Sequence, residues 1–196
     1  MFKTQDNQQR VGGLAYGKVP QMKKTGIKVV NGDWVVHAHN GIGQVMDSCC
    51  KNIGTGDVVY LEIKTADLTY WLPVNDGSMN HVRHVSSSAN FRDALAILRS
   101  APEAIADDFR TRHTYISDEI SKGTLTSRAR LIRDMHGHHS RKGNDVNENS
   151  TLTRLKQQFV DEMVMACKLN RNIAQAKLDS ALKKSSPPSL EKKSKF

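Results

Sequence analysis

Gly32-Asp33-Trp34-Val35-Val36-His37-Ala38-His39-Asn40-Gly41-Ile42-Gly43-Gln44-Val45 is the stretch whose reading decides the fold. Short apolar runs are broken by glycines and by a His/Asn turn. Further on, Val59, Leu61 and Ile63 recur at every second position, as do Leu68, Tyr70 and Leu72. A period of two is that of half-buried strands. Five strands are predicted: Trp34–Ala38, Ile42–Lys51, Val58–Lys64, Leu68–Val74 and His81–Val85. Gly54-Thr55-Gly56-Asp57 signals a hairpin, and Asn75-Asp76-Gly77 a second turn. Strands this short and this close together predict a small closed or half-closed β-barrel.

After Ser86-Ser87-Ser88 the period becomes helical. Phe91, Leu95 and Leu98 share one helix face behind a serine cap. Asp107 or Asp108 is placed to cap a second helix that Gly123 ends. Thr124 or Thr126 is placed to cap a third, ending near Gly137, and Ser140–Asn149 has the composition of a loop. Ser150 opens a long fourth helix with Leu152, Leu155, Phe159 and Met163 at three- and four-residue spacing. Asn170 precedes a last helix carrying Ile173, Ala174, Ala181 and Leu182. The predicted class is segregated α+β: a small Tudor/SH3-like β-barrel, then an all-α part of about five helices. The expected divisions are a flexible extension over 1–26, the barrel over 27–85, the helical domain over 86–182 and a disordered basic tail over 183–196.

The chain of 196 residues carries a formal net charge of +9, unevenly distributed. Residues 1–26 contribute +4, residues 27–85 −2, residues 86–150 +1 and residues 151–196 +6. A polyanionic partner is therefore expected at the helical half and not at the barrel. No secretory signal and no run long enough to span a bilayer is read, so a cytoplasmic protein without membrane contact is expected. Cys49, Cys50 and Cys167 make an odd set with no disulfide framework or zinc spacing.

Catalytic constellations do not stand out. His136-Gly137-His138-His139 has no carboxylate or thiolate partner nearby in sequence, and a helix C-terminal charge position is its simpler account. His37 and His39 read as turn residues. Gly41-Ile42-Gly43 is not followed by the helix start and Lys-Ser/Thr of a phosphate loop. No cofactor and no metal are expected.

The order of these pieces resembles the CarD/CdnL family of bacterial transcription regulators, from about Ile27 to Leu182. The match runs through Gly32-Asp33, Val35-Val36, the His37–Asn40 turn, Gly41, and Asp67-Leu68-Thr69 with Pro73. It continues with Phe109, Arg110, Arg112, Lys122-Gly123 and Arg133-Asp134-Met135. The resemblance implies a non-enzymatic, monomeric regulator. Its barrel would bind the β subunit of bacterial RNA polymerase, with Lys51, Trp71 and neighbouring Ile53 at the contact positions. Its helical domain would contact promoter DNA in the minor groove, largely independently of sequence, and stabilise the open complex. Phe109 holds the position of the family's tryptophan wedge.

Two readings of several residues stand side by side. Trp71 alternates with Tyr70 and Leu72, so it faces outward unless another segment covers it. Phe109 lies four residues after Ile105 and seven before Ile116, the spacing of a core residue, while the resemblance makes it a wedge. Arg110, Arg112, Lys122, Arg128, Arg130 and Arg133, with Arg141 and Lys142, form a basic cluster that is either a solvated face or a phosphate-binding surface. An RNA-binding or ribosome-associated protein is the alternative from another class. A pure protein adaptor is a third.

Overall fold

The computed structural model describes residues 27–52, 57–74, 77–142 and 146–185. Ile53, the Gly54–Gly56 hairpin tip and both chain ends lie outside these residues. Five strands, β1 (Trp34–His37), β2 (Gly41–Asn52), β3 (Asp57–Lys64), β4 (Thr69–Pro73) and β5 (Val82–His84), form one antiparallel sheet of order β4-β3-β2-β1-β5. A 3₁₀ turn, Ser78–His81, joins β4 to β5 and touches both. The strand reading therefore holds to within two residues at each end, except that the predicted His81–Val85 strand starts with this turn. The two edges of the sheet are linked by the turn and not by a strand ladder.

Alternation sorts the sheet residues as expected. Val35, Val45, Leu61, Ile63, Leu72, Val74, Met79 and Val82 make a core of their own. Leu68 departs from the pattern and is exposed. It precedes β4, in a turn where the Thr65 hydroxyl accepts from the N–H groups of Asp67 and Leu68. A residue in a turn has no pleat to follow. A bulge between Val45 and Asp47 sets Met46 outside the ladder with β3, and Met46 too is exposed.

Five helices follow: α1 (Ser88–Arg99), α2 (Phe109–Ser121), α3 (Leu125–Lys142), α4 (Val146–Cys167) and α5 (Arg171–Ser185). Ser87 and Asp108 cap α1 and α2, accepting from Asn90 N–H at 3.2 Å and Thr111 N–H at 2.9 Å. Thr124 Oγ1 accepts from Ser127 N–H ahead of α3. Phe91, Leu95, Leu98, Leu131, Ile132, Leu155, Phe159 and Leu178 centre a second, separate core. In it Phe91 and Phe159 meet edge to face, 5.2 Å between centroids.

Two boundaries differ from the sequence reading. The third helix does not stop near Gly137 but runs on to Lys142, and α4 starts at Val146 and not Ser150. The cause at Gly137 is packing. A Cβ there would lie 2.5 Å from Cβ of Pro102, so the glycine gives the 100–108 connection room to cross α3. It interrupts nothing.

Candidate functional site

On the outer face of the sheet, Lys51 of β2, Tyr60 of β3 and Trp71 of β4 come together. Register aligns Lys51 with Val58, Cys49 with Tyr60 and Tyr60 with Pro73, so all three point to the same side. The Lys51 ammonium stands 4.6 Å from the Trp71 ring centroid and 5.7 Å from that of Tyr60. Trp71 is 42% exposed, so no segment among the described residues covers it. An exposed cation–π contact of this kind contributes about 0.5–1 kcal/mol. It holds the indole and the charge as one amphipathic patch on an edge strand. The alternation of β3 against β4 could have placed Tyr60 here from sequence.

The basic cluster of the helices does not form one surface. Arg128 is 4% exposed and donates to the Ala38 carbonyl at 3.1 Å. Burial lowers its pKa to about 10, opposed by nearby Glu162, and it stays cationic at neutral pH. Arg133, 5% exposed, is bound by Asp134 at 2.7 Å, Ser100 at 2.8 Å and Glu103 at 2.8 Å. Arg112 spans Glu148 at 2.6 Å and the carbonyls of Ala106 and Asp107. These three guanidiniums fasten the chain to itself and are withdrawn from the set that can meet phosphate. Lys122 is exposed but paired with Glu119. Arg110 and Arg130 are exposed, with no ion pair among the described residues.

Phe109 opens α2 and is 55% exposed. Its spacing to Ile105 suggested core. Ile105, however, lies before the helix starts, so those four residues are not one helical turn. Around the ring, the Arg112 guanidinium carbon lies 6.0 Å and the His113 ring 5.9 Å from its centroid, both on the same helix. Asp108 caps the same helix end, accepting from both N–H and hydroxyl of Thr111 at 2.9 Å. Those hydrogen bonds hold its carboxyl below the usual carboxylate range. The helix N-terminus is thus already occupied by an anion, and beside Phe109 stands the exposed cation of Arg110.

Residues 93–179, covering nearly all of this helical part, match the family model of the CarD C-terminal domain. Over these residues the chain is similar to the CarD family, which supports a protein of CarD/CdnL type. It is a CarD-like, transcription-related protein, and association with RNA polymerase in general comes with that family. Among the described residues, no helix is long and apolar enough to cross a membrane, and no group of three His, Cys, Asp or Glu side chains is arranged to hold a metal ion. His138 and His139 sit inside α3, His139 being 3.7 Å from Glu148.

Sheet and helices are joined by a buried polar junction that sequence reading missed. Glu162 of α4, 0% exposed, receives two hydrogen bonds from Arg83 of β5 at 2.6 and 2.7 Å, and one from Ser86 N–H at 3.0 Å. Arg128 of α3 stands 3.7 Å from its other side. Arg83 also donates to the Gly123 carbonyl at 2.8 Å, and Gln158 of α4 to the His39 carbonyl at 2.7 Å. Burial would raise the Glu162 pKa, but the Arg83 hydrogen bonds and charge, Ser86 and Arg128 outweigh it and keep the carboxylate ionised. Gly41, at φ +77°, serves the same junction: a Cβ there would meet Gln158 at 2.9 Å. Arg83 and Glu162 are 79 residues apart, and no local pattern links them.

Proposed function

We propose that this protein is a non-enzymatic bridge between bacterial RNA polymerase and promoter DNA. The two-part division at about residue 86 is part of the same reading. The barrel docks on the polymerase β subunit through the Lys51–Trp71 patch, with Ile53, next in sequence to Asn52, kept as a contact position by the resemblance. The helical part meets the promoter with the exposed end of α2. There Phe109 enters the minor groove as an apolar wedge, while Arg110, Arg130 and Lys122 face phosphates. An inserted side chain that keeps a base step unstacked favours the opened duplex. Phosphate contacts position the protein without reading sequence. Anchoring on polymerase raises the local concentration of the helical part at the promoter, so weak DNA affinity is sufficient.

The observation that carries this reading is Phe109: a large apolar ring left in solvent at a helix start, beside an unpaired arginine, within a CarD C-terminal domain. Its test is the lifetime of open complexes formed by purified bacterial polymerase. Full-length protein should lengthen it, Phe109→Ala should shorten it, and Phe109→Trp should match or exceed the parent. A Phe109→Ala protein that remains fully active would sink the wedge. Tight binding to RNA in the absence of polymerase would favour the RNA-binding alternative instead.

A further inference from the structure

Trp71 and Phe109 stand on different cores. The sheet core and the helical core have no residue in common among the described residues. Direct packing of strand on helix is chiefly that of α4 on β2. Ala38, buried and in neither core, lies against Gly123, where an added Cβ would come within 3.3 Å of its own. Apolar burial is non-directional, so it holds the two parts together without fixing the angle between them. Hydrogen bonds weaken steeply with misalignment, so the angle rests on those that cross the junction.

Arg83 of β5 crosses to two helical elements at once. Its Nε donates to the Gly123 carbonyl, between α2 and α3, at 2.8 Å. Nη1 and Nη2 donate to the two carboxylate oxygens of Glu162 on α4, at 2.6 and 2.7 Å. Nη1 also donates to the His84 carbonyl at 3.1 Å and the Ser86 hydroxyl at 2.9 Å, which ties the fork to its own segment. The guanidinium is planar and its donors are fixed relative to one another. If α4 turned or slid against β5, these bonds could not all be kept. Glu162 is 0% exposed, so water does not replace them. Arg128, Gln158 and His81 each add a single hydrogen bond across the junction, to the carbonyls of Ala38, His39 and Ser121. A single bond fixes a point. The fork of Arg83 fixes a plane.

We propose that Arg83 is a positioning residue: its guanidinium sets the angle between sheet and helices, and with it the placement of Phe109 relative to the Lys51–Trp71 patch. The consequence for promoter opening rests on the bridging function above. Lysine at this position keeps the charge beside Glu162 but is a point donor that cannot span Gly123 and both carboxylate oxygens. The two parts then stay joined and swivel.

Arg83→Lys in the full chain tests this, first without polymerase or DNA. In a Cys49→Ser, Cys167→Ser background, spin labels on native Cys50 of β2 and on Lys177→Cys of α5, both exposed positions, report the distance from sheet to helices by pulsed EPR. The parent should give one narrow distribution and Arg83→Lys a broader one, with helix content by circular dichroism unchanged. Glu162→Asp keeps the charge and draws the carboxylate back by one methylene, so it makes the same test from α4 and should broaden the distribution too. A parent already as broad as the variants, or two folded variants as narrow as the parent, overturns the proposal. The second measurement uses chains with native cysteines and purified bacterial polymerase. Arg83→Lys should lose most of the parent's lengthening of open-complex lifetime, while capture of the β subunit and salt titrations on DNA match the parent. A purely structural role would lower all three together, and that result overturns the positioning role. So does a variant as active as an active parent. A parent that does not lengthen the lifetime is a different failure: it sinks the bridging function itself, and the role of Arg83 in it.

Discussion

Phe109 and the arginines around it divide sharply by what they touch. Phe109→Ala removes an exposed ring, and surface changes of this kind stay within about 0.5 kcal/mol; melting should be unaltered while open-complex lifetime falls. Arg110→Ala and Arg130→Ala should likewise leave melting alone. Each should weaken DNA binding about equally on any sequence and lower the salt dependence by roughly one ion, as read from titrations at several salt concentrations. Arg133→Ala should do the reverse, because it removes the cation paired with buried Asp134, which keeps only the Glu103 N–H at 2.8 Å. Removing one member of a buried pair costs about 3–5 kcal/mol, which a thermal or denaturant melt would show. The basic cluster was visible in sequence. Its partition was not, since each guanidinium's partner depends on which carboxylate the fold brings beside it.

The helices and strands follow their local chemistry with two instructive exceptions. The first, α3, passes through Gly137 against the expectation that glycine ends it. Gly137→Ala poses the contest in magnitudes. Alanine favours a helix interior by about 1 kcal/mol over glycine, yet here it would press on Pro102, and overpacking costs about 1–3 kcal/mol. The neighbour is a proline ring with little freedom to yield, so the variant should melt earlier than the parent. The second is β4, shorter than its apolar pattern because the Thr65 turn takes Leu68 out of the pleat. On the outer face of β2–β4, Lys51→Glu and Trp71→Ala should each weaken capture of the polymerase β subunit, measured by pull-down. Full capture by the double variant would remove that face from the function.

As a whole, the molecule holds two apolar cores apart and connects them through charge and hydrogen bonds. Glu162→Ala would strand Arg83 and buried Arg128 together, and should cost about 3–5 kcal/mol by the same reasoning as for Arg133. The junction also responds to acid. His37, His39 and His81 cluster there with ring centroids 5.8, 6.4 and 6.1 Å apart. Nδ1 of His37 accepts from the N–H groups of His39 and Asn40, both at 3.2 Å, which requires the neutral ring. Burial, then His39, His81 and Arg128, lower its pKa to about 4. Between that value and the ordinary histidine pKa of about 6.5, the unfolded chain binds the proton and the folded one does not. Stability therefore rises with pH through this window and is complete above it. Melting temperature should fall from pH 7 to pH 5, and His37→Asn, whose side-chain oxygen can accept the same N–H groups, should flatten that fall. His39, lowered by burial and by His81, Arg154 and Arg128, adds in the same direction.

What residues declare within one or two turns of chain was legible from their order alone. The alternation of β2–β4, the helical period of α1 and α4, the Ser87 and Asp108 caps and the two-part layout all depend on neighbours a few positions away. The CarD-like sequence of motifs added the class of partner. Three things needed the tertiary structure: that Phe109 stands in water, that Arg128 and Arg133 are spent inside, and that Glu162 joins β5 to α3 and α4. Each is set by burial or by contact between residues far apart in sequence. A side chain's local pattern is the same whether the fold later covers it, pairs it or leaves it free.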